Sequence, residues 1–125
     1  MIYTSNFSKM RSLPKDVLTI AICRKVPEWY EGPQYKVLAP SYDLFVEYKN
    51  NHNIAYYIND FTNNVLNKLD IEQVIYDLVS LSKLDPNKHY NHIALLCYES
   101  TNEFCHRYLV GQWLRNHGYK CEEYA

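Results

Sequence analysis

Glycine is scarce in this chain: three residues in 125. Loops that cradle phosphates with backbone N–H groups need several glycines at fixed spacing. Neither a P-loop nor a dinucleotide fingerprint can therefore be written here. No G-x-S-x-G is present, which removes the nucleophile elbow of serine hydrolases. An excess of one charge is missing too: 13 Lys and Arg stand against 14 Asp and Glu, a formal net charge of −1. A chain without a basic excess is not a sequence-independent, bulk nucleic-acid binder, although a local basic pocket stays open. No apolar run approaches the roughly 20 residues of a membrane span. No signal-peptide pattern stands at the start. The four cysteines (Cys23, Cys97, Cys105 and Cys121) contain no C-x-x-C pair. These absences lead us to expect a reduced, cytoplasmic protein whose cysteines are thiols.

What is present fits one globular domain over residues 1–125. A chain of this length buries roughly two thirds of its unfolded surface, enough for a core without metals or disulfides. Tyrosine is the outlier, at 13 residues. Some tyrosines will sit half-buried with the hydroxyl in water, and others can stack on a ligand.

Residues 1–5 are short, apolar and β-leaning. Residues 17–23 form a nearly continuous β-branched run, the pattern of a strand covered on both faces. Arg24, Lys25 and Pro27 follow it directly. Residues 28–41 mix Gly, Pro and aromatics, which predicts an ordered loop packed over one end of a sheet. Ser41 or Asp43 can cap a helix that carries Leu44, Phe45 and Tyr48 on one side. Residues 56–69 show helical spacing. Asp70 then caps a helix whose stripe runs Ile71, Val74, Ile75, Leu78, Leu81 and Leu84. Leu109, Val110, Trp113 and Leu114 mark a last helix, with Gly118 as its left-handed stop. Residues 120–124 read as a final short strand. The expected fold is α/β: a single compact three-layer domain with a small, mostly parallel, Rossmann-like sheet and helices on both faces.

The chain is organised around residues 93–107. An apolar strand, Ile93 to Cys97, passes through polar residues and ends on Cys105-His106-Arg107 where a helix opens. A strand that hands polar residues to a helix N-terminus is where open α/β sheets place ligands.

Leu96-Cys97-Tyr98-Glu99 followed by Phe104-Cys105-His106-Arg107 resembles the signature of a bacterial and phage family, the domain of unknown function 488. Arg24-Lys25-Val26-Pro27 is similar to that family's Arg-x-x-Pro after an early strand. Leu38-Ala39-Pro40 and the closing Gly118 to Glu123 look similar as well. The resemblance spans essentially the whole chain. It implies a compact α/β fold with a site at these residues, and it names no reaction. One position departs: many members carry Asp two residues before the Arg, where this chain has Ile22. If that Asp acts chemically in its relatives, this protein lacks the step or uses another group.

Several groups here can carry chemistry, each beside a plainer reading. Glu99 at a strand end can move a proton, or can tie down the loop. Cys105 near a helix N-terminus, beside His106 and Arg107, has the setting of a reactive thiolate. It can equally be a small buried residue. His106 is a candidate base, ligand contact or packing residue. Arg107 joined by Arg24 would make an anion cradle for phosphate or carboxylate, and an ion pair from Arg107 to Glu99 is the structural alternative. Tyr98, with Trp29 and Tyr30, can stack on a base. Cys97, Cys105, His106 and Cys121 could in principle supply metal ligands, but the gap from Cys97 to Cys105 exceeds the short spacings of structural zinc sites, and adjacent Cys105 and His106 are expected to diverge on a helix. No metal or cofactor is therefore expected.

These residues lead first to an enzyme acting on a small anionic, phosphorylated or nucleotide-like ligand. Arg24, Arg107 and Tyr98 would bind, and Glu99, Cys105 and His106 would carry the chemistry. The alternatives are a nucleotide or nucleic-acid-end binder without turnover, and a protein-interaction domain with a structural Cys-His-Arg loop. No membrane partner is expected. The aromatic surface allows a homodimer.

Overall fold

A computed structural model describes residues 1–99 and 103–124. Ser100, Thr101 and Asn102, part of the polar link expected between strand and helix, lie outside the described residues. Four strands form one parallel sheet: β1 (Ile2–Asn6), β2 (Val17–Ala21), β3 (His92–Cys97) and β4 (Cys121–Glu123). Their order is β2-β3-β1-β4, with Ile2 beside both Ile93 and Cys121, and Val17 beside His92. Because every pair is parallel, all four C-terminal ends share one rim of the sheet. The chain leaving β1 runs to the β2 edge, and the chain leaving β3 runs to the β4 edge. Neighbouring central strands whose connections part in this way open a crevice at their C-terminal ends. The fold is a Rossmann-like α/β domain.

The helices α1 (Tyr42–Asn51), α2 (Ile54–Asn64), α3 (Ile71–Ser82) and α4 (His106–Asn116) gather on one sheet face. There Leu18, Ile20, Ile93 and Leu95 meet Leu44, Phe61, Leu78, Val110 and Leu114. The other face carries Val17, Ala21, Ala94 and Leu96. It is covered by the 3-10 helix Phe7–Ser12 and by Tyr30. Both faces are buried, which is why β2 and β3 read as continuous apolar runs rather than alternating ones.

The expected caps are made. Ser41 accepts from the Leu44 N–H at 3.1 Å, and Asp70 accepts from Glu72 N–H at 3.0 Å. Gly118 has φ +89°, a left-handed conformation that lets its own N–H and that of Tyr119 bond the Arg115 and Leu114 carbonyls. Three helix boundaries differ from expectation. Asn53 caps α2 through Tyr56 N–H, so that helix starts earlier and ends at Asn64, before a separate 3-10 turn at Leu66–Lys68. The stripe in α3 stops at Ser82. Leu84 lies outside it and is 73% exposed. The loop over residues 28–41 passes round the β2 edge, with Tyr30 packed on the face of the 3-10 helix and Tyr35 and Leu38 on the helical face. The Tyr30 hydroxyl donates to the Pro33 carbonyl at 2.9 Å, and Gln34 bridges to Ala21. Among the described residues, no helix is long and apolar enough to cross a membrane.

Phe61→Ala removes a fully buried ring from the helical face. It is expected to lower stability by about 3–5 kcal/mol in denaturant unfolding, whereas Leu84→Ala stays within about 0.5 kcal/mol.

Candidate functional site

The rim at the C-terminal ends of β2 and β3 opens into a cavity of about 1050 Å³. Its floor holds Cys97, Cys105 and His106, and Glu99, Glu103 and Tyr98 stand above them. Arg24, Lys25 and Lys49 lie along its edge. Phe45, Tyr48, Tyr57 and Phe104 form aromatic walls. Phe104 meets Tyr57 edge-on at 5.1 Å and Tyr48 at 5.6 Å, and Lys49 sits 4.9 Å over the Phe45 ring. The two helices α1 and α2 supply these walls, because the chain between β2 and β3 must cross over this rim.

The floor follows from where β3 stops. Cys97 is its last residue, so Tyr98 and Glu99 turn out of the strand rather than continuing its alternation. Cys105 is the N-cap of α4 with extended backbone (φ −149°, ψ 146°), and His106 is the first helical residue. The expected divergence of Cys105 and His106 therefore does not occur. A cap residue lies outside the helical screw, and the Cys105 sulfur comes 3.7 Å from His106 Nδ1. Cys97, Cys105 and His106 present Sγ, Sγ and Nδ1 within 4.8 Å of one another, all buried. This removes the geometric objection raised against a metal at these residues. The structure also joins the sulfurs of Cys97 and Cys105, which corrects the expectation of four separate thiols. Cys23 and Cys121 remain free and buried.

His106 Nε2 lies 2.7 Å from the carbonyl oxygen of Ile22. A carbonyl only accepts, so Nε2 carries the proton and Nδ1 keeps a lone pair. Burial pushes the His106 pKa down to about 4, with nearby Arg107 lowering it further and the Ile22 bond opposing. The imidazole is thus neutral at physiological pH. Phe61 packs edge-on against its ring at 5.6 Å. Cys23, on the cavity wall, has its thiol pushed up to about 11 by burial, with the Glu99 carboxylate adding to the effect.

Arg107 is placed differently from the expected anion cradle. It is fully buried and does not line the cavity. Its Nε donates to both Glu123 oxygens at 3.1 and 3.2 Å, and Nη2 donates to Glu123 Oε2 and the Tyr108 hydroxyl, each at 2.9 Å. Nη1 donates to the Glu99 carbonyl at 2.8 Å and the Cys97 sulfur at 3.1 Å. All five N–H donors are engaged, so none is left for a ligand. Its carboxylate partner is Glu123, not the Glu99 side chain of the alternative reading. Arg24 stands apart at the exposed rim, with Nη1 donating to the Pro40 carbonyl at 3.3 Å. Tyr98 does line the cavity. Trp29 and Tyr30 do not, because they pack on Phe7 at the opposite sheet face.

Sequence reasoning missed Glu123, Lys49 and the tyrosines of α1 and α2, whereas Lys25 beside Arg24 is the charge pair expected either as a solvated exit or at the rim of a site. Glu123 left a faint signal. It shares a strand face with buried Cys121, two residues earlier, and a carboxylate on such a face needs a cation. The others depend on how the helices fold over the rim.

Comparison with known proteins identifies the family. The model of the active DUF488-N3 subclade matches residues 2–118. No curated protein and no solved structure matches the chain.

Glu123→Ala leaves the Arg107 guanidinium buried without its counter-charge. A loss of about 3–5 kcal/mol in denaturant unfolding is expected. The pair Arg107→Met with Glu123→Leu should recover a large part of that loss, because it removes both charges from the interior.

Proposed function

The chain belongs to the domain of unknown function 488 family, and we propose that it is an enzyme acting on a phosphorylated or nucleotide-like small molecule in the cavity above β2 and β3. One observation carries this reading. A single cavity brings together an aromatic wall, a rim of three cations and a floor of groups able to do chemistry. Flat aromatic faces accept a base or another planar ring, and Arg24, Lys25 and Lys49 complement a phosphate. Pockets of this kind pair apolar walls with a few convergent polar groups.

Glu99 is the group proposed to exchange a proton with the substrate. It lies at a strand end beside the cavity, on a loop whose backbone is held by Arg107. Cys105 and His106 assist from the floor. Arg107 acts as a positioning residue: it fixes the Glu99 carbonyl and the Cys97 sulfur relative to α4. Tyr98, half-exposed and braced edge-on against Phe7 at 5.1 Å, offers one side of the ring-binding slot.

A thermal-shift screen against nucleotides, sugar phosphates and inorganic phosphate tests the reading. A compound at about 100 times its Kd should stabilise the protein by about 2.7 kcal/mol, a rise of several degrees in Tm. Arg24→Ala should fold normally and lose most of that rise. Glu99→Gln should keep it and lower product formation by at least about 100-fold. Absence of any shift, or a bound compound always recovered unaltered, overturns the assignment.

A further inference from the structure

The cavity floor holds an arrangement that the reading above does not require. Cys97 ends β3, Cys105 caps α4 and His106 opens it, so three soft or borderline donors from two elements meet at one point. We propose that the reduced protein, in which a thiol or phosphine reductant has cleaved the Cys97–Cys105 bond to two thiols, binds a zinc-type divalent ion through Cys97, Cys105 and His106, the two thiol protons leaving to solvent and the remaining coordination position facing the cavity.

The orientation of the imidazole is the first support. His106 Nε2–H is spent on the Ile22 carbonyl at 2.7 Å, which fixes the tautomer and leaves the Nδ1 lone pair directed toward the sulfurs. A ligating histidine ordinarily has its other ring nitrogen held in this way by a carbonyl or carboxylate. Zinc with bonds of about 2.3 Å to sulfur and 2.05 Å to nitrogen, at tetrahedral angles, separates the two donors by about 3.6 Å. The Cys105 sulfur and His106 Nδ1 stand 3.7 Å apart. That spacing suits a shared ion.

The sulfur electrostatics are the second support. Arg107 Nη1 donates to the Cys97 sulfur at 3.1 Å from a fully buried guanidinium. A cation donating to sulfur favours the thiolate, the form that binds metal. Cys105 sits at the N-terminal end of α4, where the helix dipole favours negative charge as well. The same Arg107 bonds the Glu99 carbonyl, so the metal floor and the catalytic loop share one anchor.

The backbone spacing is the third. Cα atoms of Cys97 and Cys105 are 7.6 Å apart, beyond the range of about 4.4–6.8 Å over which disulfides are usually held. Once that bond is reduced, the wider backbone spacing leaves room for an ion between the two sulfurs. The donor set of two thiolates and one imidazole suits zinc and its soft neighbours, not magnesium or calcium. All three donors line the cavity. Three protein ligands with the fourth position open is the pattern of a catalytic zinc site rather than a closed structural one.

The site stands independently of the substrate class proposed above, and its test needs no substrate. Protein purified under a non-chelating phosphine reductant is equilibrated with zinc, freed of excess metal and analysed for metal content. About one zinc per chain is expected. Cys105→Ser and His106→Ala should each lower it at least about tenfold, while Cys23→Ser and Cys121→Ser leave it unchanged. Should the ligand variants fail to fold, the parent loaded with cobalt(II) decides. Thiolate-to-metal charge transfer together with tetrahedral d–d bands supports the site, and a spectrum of octahedral cobalt without sulfur overturns it. Sub-stoichiometric zinc in the reduced parent, or full occupancy in folded Cys105→Ser and His106→Ala, also overturns it. So does a thiol count of two in the presence of reductant, which would show Cys97 and Cys105 held as a disulfide.

Discussion

A guanidinium without access to water ties the sheet, α4 and the strand–helix loop into one arrangement. Arg107 reaches Glu123 on β4, Cys97 at the end of β3 and the main chain of Glu99, all from the second residue of α4. Burying that charge is costly, and only a full set of acceptors offsets the cost. Because the partners come from three separate segments, the arrangement tolerates little sliding of α4 over the sheet. Thr4 adds to it from β1, its hydroxyl donating to Glu123 Oε1 at 2.6 Å.

That constraint determines what the cavity can offer. With Arg107 held below the floor, the exposed positive charge comes from Arg24, Lys25 and Lys49 on other segments. With the two sulfurs joined, the floor beneath the Glu99 loop is uncharged: a neutral imidazole with a free Nδ1 lone pair and a disulfide. The His106 tautomer is fixed by the Ile22 carbonyl. This contact comes from the main chain, so it does not depend on which side chain stands at position 22. Ile22 thus orients the imidazole through its carbonyl and places no carboxylate of its own at this strand end. Glu99 and Glu103 are the acidic side chains that line the cavity.

Much of this was legible in residues 93–107. An apolar strand followed by polar residues and a helix start is a local pattern, and local patterns survive folding. The caps Ser41 and Asp70 and the stop at Gly118 were readable for the same reason, since each acts within a few residues of itself. The role of Arg107 was not readable. An arginine at a helix start looks the same whether it faces a ligand or a carboxylate 16 residues further on. The divergence expected of Cys105 and His106 failed because it assumed both lie on the helical screw, while one of them is the cap.

The amino-acid sequence by itself determined the α/β class, the position of the strands and most helices, and the stretch where chemistry gathers. These depend on hydrophobic periodicity and on side chains that satisfy nearby backbone groups. Only the tertiary structure decided the order β2-β3-β1-β4, the turning of Arg107 inward to Glu123 and the meeting of Cys97, Cys105 and His106. It also decided which tyrosines wall the cavity. Each of these joins residues distant in the chain or oriented by a backbone break. Such contacts are selected by the requirement to bury both sheet faces while leaving no buried charge unpaired, a condition on the whole molecule that no short window of sequence expresses.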